Sequence, residues 1–104
     1  MQLAELEVFS VAANQTIVRP PGRAFPGAVI QGDSLSLLTR AALRVLATLK
    51  EAGADEETLK AAGLLASGLG GRLLHYQDVL AQHGIELPYG DPLKADEVPM
   101  EGEA

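Results

Sequence analysis

The sequence contains no cysteine. A disulfide framework and a thiolate metal site are therefore both excluded, and the composition fits a reducing cytoplasm. No apolar run approaches the roughly 18 residues that a membrane span requires. The opening segment, MQLAELEVFS, carries two glutamates and no basic stretch, so it does not read as a secretory signal. The expectation is a soluble, cytoplasmic chain without membrane contact. Clustered Lys and Arg are missing too. Residues 1–89 hold seven Lys/Arg against nine Asp/Glu, and residues 90–104 hold Lys94 against five carboxylates. Nucleic-acid binding needs clustered cations to displace counterions, so a protein partner, in particular a basic one, is the expectation instead.

What is present is a change of period near residue 32. Residues 3–10 alternate in part, with Leu6 and Val8 on one face and Glu5 and Glu7 on the other, as in a half-buried strand. TIVR (16–19) is β-branched and reads as a second strand, and AVIQ (28–31) as a third. Between the last two, PPGRAFPG (20–27) holds three prolines, which remove ladder donors. Pro21-Gly22 suits the centre of a type II turn, and Phe25-Pro26 is a candidate for a cis bond.

From Leu35 the apolar residues are spaced by three and four. Leu35, Leu38, Ala42, Val45 and Leu49 predict an amphipathic helix ending near Ala52, with Gly53 closing it. Asp55 caps a second helix, with Glu56 and Glu57 favourable to its dipole. Its stripe is Leu59, Ala62, Ala66, Leu69, Leu73, Tyr76 and Leu80, and Gly84 ends it. The short link between the helices predicts an antiparallel hairpin.

The second helix is crowded with glycine and alanine between residues 61 and 71. Glycine inside a helix costs roughly 0.5–1 kcal/mol relative to alanine. The cluster points to close approach by the first helix or by a second subunit, or else to a break at Gly70-Gly71. The fold class expected is α+β: a three-stranded antiparallel meander followed by an antiparallel helical hairpin covering one face. Residues 1–89 form a single domain in this reading. Residues 90–104, acidic and punctuated by proline, form a disordered tail. The sheet's two edges and the glycine-rich helix together predict a homodimer.

The motifs that carry chemistry are few. Gly32-Asp33-Ser34-Leu35 spells the signature of the GDSL esterases, in which the serine is the nucleophile. That family is about twice as long. It also uses a later oxyanion-hole asparagine and an Asp-x-x-His that supplies the base. Here the only asparagine is Asn14, upstream of the motif, and the residues three before His75 and His83 are Arg72 and Leu80. A serine without a positioned base is a weak nucleophile. Asp33 or Ser34 then reads as a helix N-cap, with Gly32 for the bend out of the third strand.

His75 and His83, about 12 Å apart along one helix, share no metal and read as surface histidines. No catalytic residue, metal site or cofactor is expected, and no phosphate loop is present. A small-ligand or anion site is the alternative. It would use Arg19, Arg23 and the first helix turn at Gly32, Asp33 and Ser34. The plainer reading pairs those arginines with Glu5, Glu7 or Asp33.

The run Arg19, Pro21-Gly22-Arg23, Phe25-Pro26-Gly27 and then VIQGDSL resembles an uncharacterised family of small bacterial proteins. That family shares an R-x-P-G-R-x-F-P-G-x-x-I-Q-G-D-S-L core. HGIELPY at 83–89 is similar to the way its members end, and Pro20 departs from the aliphatic residue expected there. The resemblance covers most of residues 3–89 and implies a domain of unknown function, with no catalytic residues to transfer. The function expected is a non-enzymatic interaction module, accessory or immunity-like. The anion-binding domain is the alternative, and a hydrolase using Ser34 comes last.

Overall fold

The computed structural model describes residues 1–13 and 15–99. In chain order, β1 is Glu7–Ser10, β2 is Thr16–Arg19 and β3 is Gly27–Val29. These are followed by α1, Gly32–Glu51, α2, Glu56–Gln82, and a 3₁₀ turn at Ala95–Glu97. This is the expected α+β order. The contacts fall into two compact units, Met1–Gln31 and a second beginning at Gly32.

The first unit is an antiparallel sheet in the order β1-β2-β3. Glu7 pairs with Arg19 and Val8 with Val18, after which the register slips between Val8 and Ser10. The slip leaves Phe9 as the extra residue of a bulge, the device by which a strand re-aims a side chain. The chain between β2 and β3 turns at Pro20–Arg23, where the Arg23 N–H reaches the Pro20 carbonyl at 3.2 Å. Gly22 has φ +81° there, as the expected type II turn requires. Every described peptide bond is trans, Phe25-Pro26 included.

β1 is half the expected length. The half-buried face read from Leu6 and Val8 is 45% and 54% exposed. No described residue of this unit is buried. Strands of three and four residues, three in all, cannot enclose a core by themselves.

The buried core lies entirely in the second unit. Leu35 and Leu73 form one cluster with Leu93, and Leu46, Ala62 and Ala66 form the other. The start of α1 thus meets the end of α2, and the end of α1 meets the start of α2, which is the predicted antiparallel hairpin. Both helices end alike. Ala54 N–H donates to the Leu49 carbonyl at 3.0 Å, and Ile85 N–H to the Leu80 carbonyl at 2.9 Å, closing each last turn over the intervening glycine. Asp55 caps α2 as expected, accepting the Thr58 N–H at 2.7 Å.

α2 follows its predicted stripe and runs unbroken through Gly70-Gly71. α1 does not follow its own. Leu38 and Val45 face outward, about half exposed, while Ser36 and Thr39 are buried. The Thr39 hydroxyl donates to the Leu35 carbonyl at 2.7 Å. That bond satisfies the one group that would make threonine costly in a core.

The largest difference is at the C-terminal end. Residues 90–99, expected to be the start of a disordered tail, are seated on the helices. Leu93 is 4% exposed and joins the core of Leu35 and Leu73. Residues 100–104, the rest of that expected tail, lie outside the described residues.

Candidate functional site

Arg19 and Arg23 belong to the first unit, while Gly32, Asp33 and Ser34 open the second. In the first unit the β1–β2 register puts Arg19 opposite Glu7. The guanidinium donates two hydrogen bonds to the Glu7 carboxylate, at 2.9 and 2.8 Å. It also lies 5.7 Å from the centre of the Phe9 ring and donates to the Ala24 carbonyl at 3.4 Å. The plainer reading named Glu7 as a partner for these arginines, and for Arg19 that is what the structure shows. Arg23 makes no ion pair among the described residues. The concave surface at this loop holds about 340 Å³ and is lined by Glu5 and Glu7 as well as both arginines. An anion entering it would have to displace a bidentate carboxylate from Arg19, which weighs against the anion reading.

In the second unit, α1 begins at Gly32 itself, one residue before the expected Asp33-Ser34 cap. Asp33 lies in the first turn, and its carboxylate accepts the N–H of Ser34 at 2.8 Å. Gly32 starts the helix because of what lies against it. A Cβ at this position would overlap the Tyr76 ring of α2, so only glycine lets α2 come this close. Ser34 makes no hydrogen bond with a histidine among the described residues, and His75 on α2 and His83 just beyond its end are both exposed. Nor do the described residues hold three His, Cys, Asp or Glu side chains close enough to share a metal ion.

The most developed polar constellation in the molecule lies elsewhere. It consists of two side chains that hold residues 89–99 to the helices. Gln77 of α2 donates from Nε2 to the Leu93 carbonyl at 2.9 Å and accepts the Leu93 N–H at 2.8 Å. The same amide oxygen accepts the Tyr89 hydroxyl at 2.9 Å. Burial lifts the Tyr89 phenol above its usual 10.0, which keeps it a donor. Arg40 of α1 donates to Glu97 at 2.7 Å and to the Asp91 and Pro92 carbonyls at 3.3 and 3.4 Å. Its second carboxylate contact is with Asp91 at 3.3 Å.

Beneath this strap Gly70 is buried. A Cβ built there would stand 2.8 Å from both methyl carbons of Val98. The close approach that the glycines of α2 suggested is therefore made at Gly70 by the strap, a neighbour that neither a first-helix nor a second-subunit contact anticipated. Neither Gln77 nor Arg40 was singled out from the sequence. The only local signal was Gln77 standing one residue beyond Tyr76 at the edge of the apolar stripe.

Glu97 gives this arrangement a pH dependence. The Lys94 N–H and then the Arg40 guanidinium hold its carboxyl below the ordinary 4.5. A carboxyl depressed in the folded state stabilises the fold above its ordinary value, and that contribution disappears as pH falls through the folded value. The melting temperature should therefore fall as the pH drops below 4.5, with part of the slope missing in Glu97→Gln. Identical slopes in the two proteins would contradict the strap's ion pair.

No helix among the described residues is long and apolar enough to cross a membrane. No curated protein and no solved structure matches the chain. One family does match, over residues 1–89, and it is described as a family of unknown function, DUF6959. The match takes in both helices and the sheet and stops where the strap begins, so the chain belongs to this family of unknown function.

Proposed function

We propose that the protein is a non-enzymatic protein-interaction module of the cytoplasm, acting as an accessory to its partner, and that the sheet unit is its docking surface. One observation carries this reading. The unit Met1–Gln31 buries none of its described residues, yet it holds both phenylalanines of the chain, Phe9 and Phe25, and Phe25 is 83% exposed. Leu6, Val8, Val11, Val29 and Ile30 are exposed in the same short unit. Apolar exposure on this scale marks association surfaces, and aromatic side chains at such surfaces supply most of the binding energy. The two sheet edges, β1 and β3, add unpaired backbone groups. A second copy of the chain is the simplest occupant.

The non-enzymatic half of the reading is supported by Ser34, which makes no hydrogen bond with a histidine among the described residues. Sedimentation or light scattering at tens of micromolar is expected to give a dimer for the native chain and a monomer for Phe25→Ser. Hydrolysis of a p-nitrophenyl ester is expected to stay at the buffer rate. Monomers in both proteins would sink the docking reading, and hydrolysis abolished by Ser34→Ala would sink the non-enzymatic one.

A further inference from the structure

The α1–α2 groove already holds one peptide, the chain's own residues 89–99, and the contacts show what chemistry it accepts. We propose that this groove is a peptide-binding site, occupied in cis by the strap, whose partner in trans is an acidic peptide of the pattern Leu-x-x-x-Glu-Val that makes the same turn at Ala95–Glu97. The inference rests on the reading of the chain as an interaction module but concerns a surface separate from the sheet.

Four features make the groove a recognition site rather than a generic apolar face. Leu35 and Leu73 enclose a leucine. Gln77 pairs with both the N–H and the carbonyl of that leucine, so it reads extended backbone as a neighbouring strand would. Arg40 takes the carboxylate four residues on. Gly70 leaves space for the β-branched side chain after it.

Every one of these groove residues lies within residues 1–89, the part matched by the family, whereas the strap from residue 90 onward lies beyond it. Between α1 and Asp96–Pro99 of the strap lies a concavity of about 650 Å³ whose α1 wall carries Arg44 and Lys50 as well as Arg40. An acidic peptide longer than the strap's described part meets complementary charge there.

The strap's two acidic pins are open to solvent to different degrees, the Asp91 side chain being 90% and the Glu97 side chain 35% exposed. The segment joining the strap to α2 holds Gly84 and Pro88 and lies outside any helix or strand. Tethering gives the strap an effective concentration on the order of millimolar. A trans peptide must compete with that, so its apparent affinity is reduced by the fraction of grooves left open.

The test uses the full chain and a fluorescent peptide of residues 88–99, read by anisotropy. The expected result is weak binding to the native chain and binding at least about tenfold tighter to Leu93→Asp, whose strap no longer seats. Adding Arg40→Glu to that variant should abolish the gain. If Leu93→Asp loses its helical circular dichroism, the double variant Asp91→Lys with Glu97→Lys replaces it, with the same result expected. A helical strap variant that binds no better than the native chain overturns the proposal, and so does a gain that survives Arg40→Glu. A native dimer that the strap variant turns into monomer overturns it in favour of strap exchange between two copies. None of these outcomes depends on Phe25, so the sheet reading stands or falls separately.

Discussion

Leu93→Ala lowers the stability of the protein by about 2–5 kcal/mol, the range for truncating a buried leucine. Leu93 is 4% exposed and shares a core cluster with Leu35 and Leu73, one residue from each helix. Truncation removes its own transfer free energy and leaves a cavity between two helices that are fixed by their remaining contacts, so little relaxation offsets it. The same substitution in a solvated tail would stay within about 0.5 kcal/mol of neutral. Urea unfolding separates the two outcomes, because the midpoint moves while the slope, set by the surface exposed, should change little. Lys94→Ala is the control one residue along, on an exposed side chain.

Gly32→Ala costs about 1–3 kcal/mol, the usual range for overpacking. Two effects compete here. Alanine improves on glycine in a helix by roughly 0.5–1 kcal/mol, but its Cβ would overlap the Tyr76 ring. The ring is half-buried and packs against the core of Leu35 and Leu73, so it cannot swing aside freely and the overlap wins. In a Tyr76→Ala background the clash is gone, and Gly32→Ala becomes neutral or slightly stabilising. A double-mutant cycle by urea unfolding should return a coupling between about 0.5 and 3 kcal/mol. Additive effects would mean that Gly32 is present for some reason other than Tyr76. The result bears on function as well, because it explains the glycine of Gly-Asp-Ser-Leu by packing, with no catalytic role needed.

The sheet and hairpin were legible because their signals are local. TIVR favours a strand by composition, and α2 repeats its apolar residues at helical spacing from Leu59 to Leu80. α1 was misread by half a face. Its outward Leu38 and Val45 are apolar, whereas Thr39, which is fully buried, counts as polar in any hydropathy pattern. Only the bond from Thr39 to the Leu35 carbonyl shows why it belongs inside. The strap was missed for a related reason. Composition saw the prolines and carboxylates of DPLKADEVP, not the seats for its two apolar side chains, Leu93 and Val98. Those seats come from Leu35 and Leu73 for the first and from Gly70 for the second, while Arg40 pins Glu97 across 57 residues of sequence. No window of sequence brings such partners together.

The candidate site was legible to a similar degree. Arg19 and Glu7 lie 12 apart in sequence, and their pairing follows once β1 and β2 are placed antiparallel in register. Asp33 and Ser34 were rightly placed at a helix start, but they lie within the first turn rather than at its cap, since α1 already begins at Gly32. The groove bounded by Arg40, Gly70 and Gln77 left no motif in the sequence, since its geometry depends on how two helices and a returning segment meet.

The central claim is that residues 90–99 are part of the fold, seated by Gln77 and Arg40. Hydrogen exchange of the Leu93 amide tests it most directly, because that N–H donates to Gln77 Oε1 at 2.8 Å beside a buried side chain. The account predicts exchange slowed well below the unprotected rate, and a return towards that rate in Gln77→Ala. Unprotected exchange of the Leu93 amide in the native chain at neutral pH would contradict it.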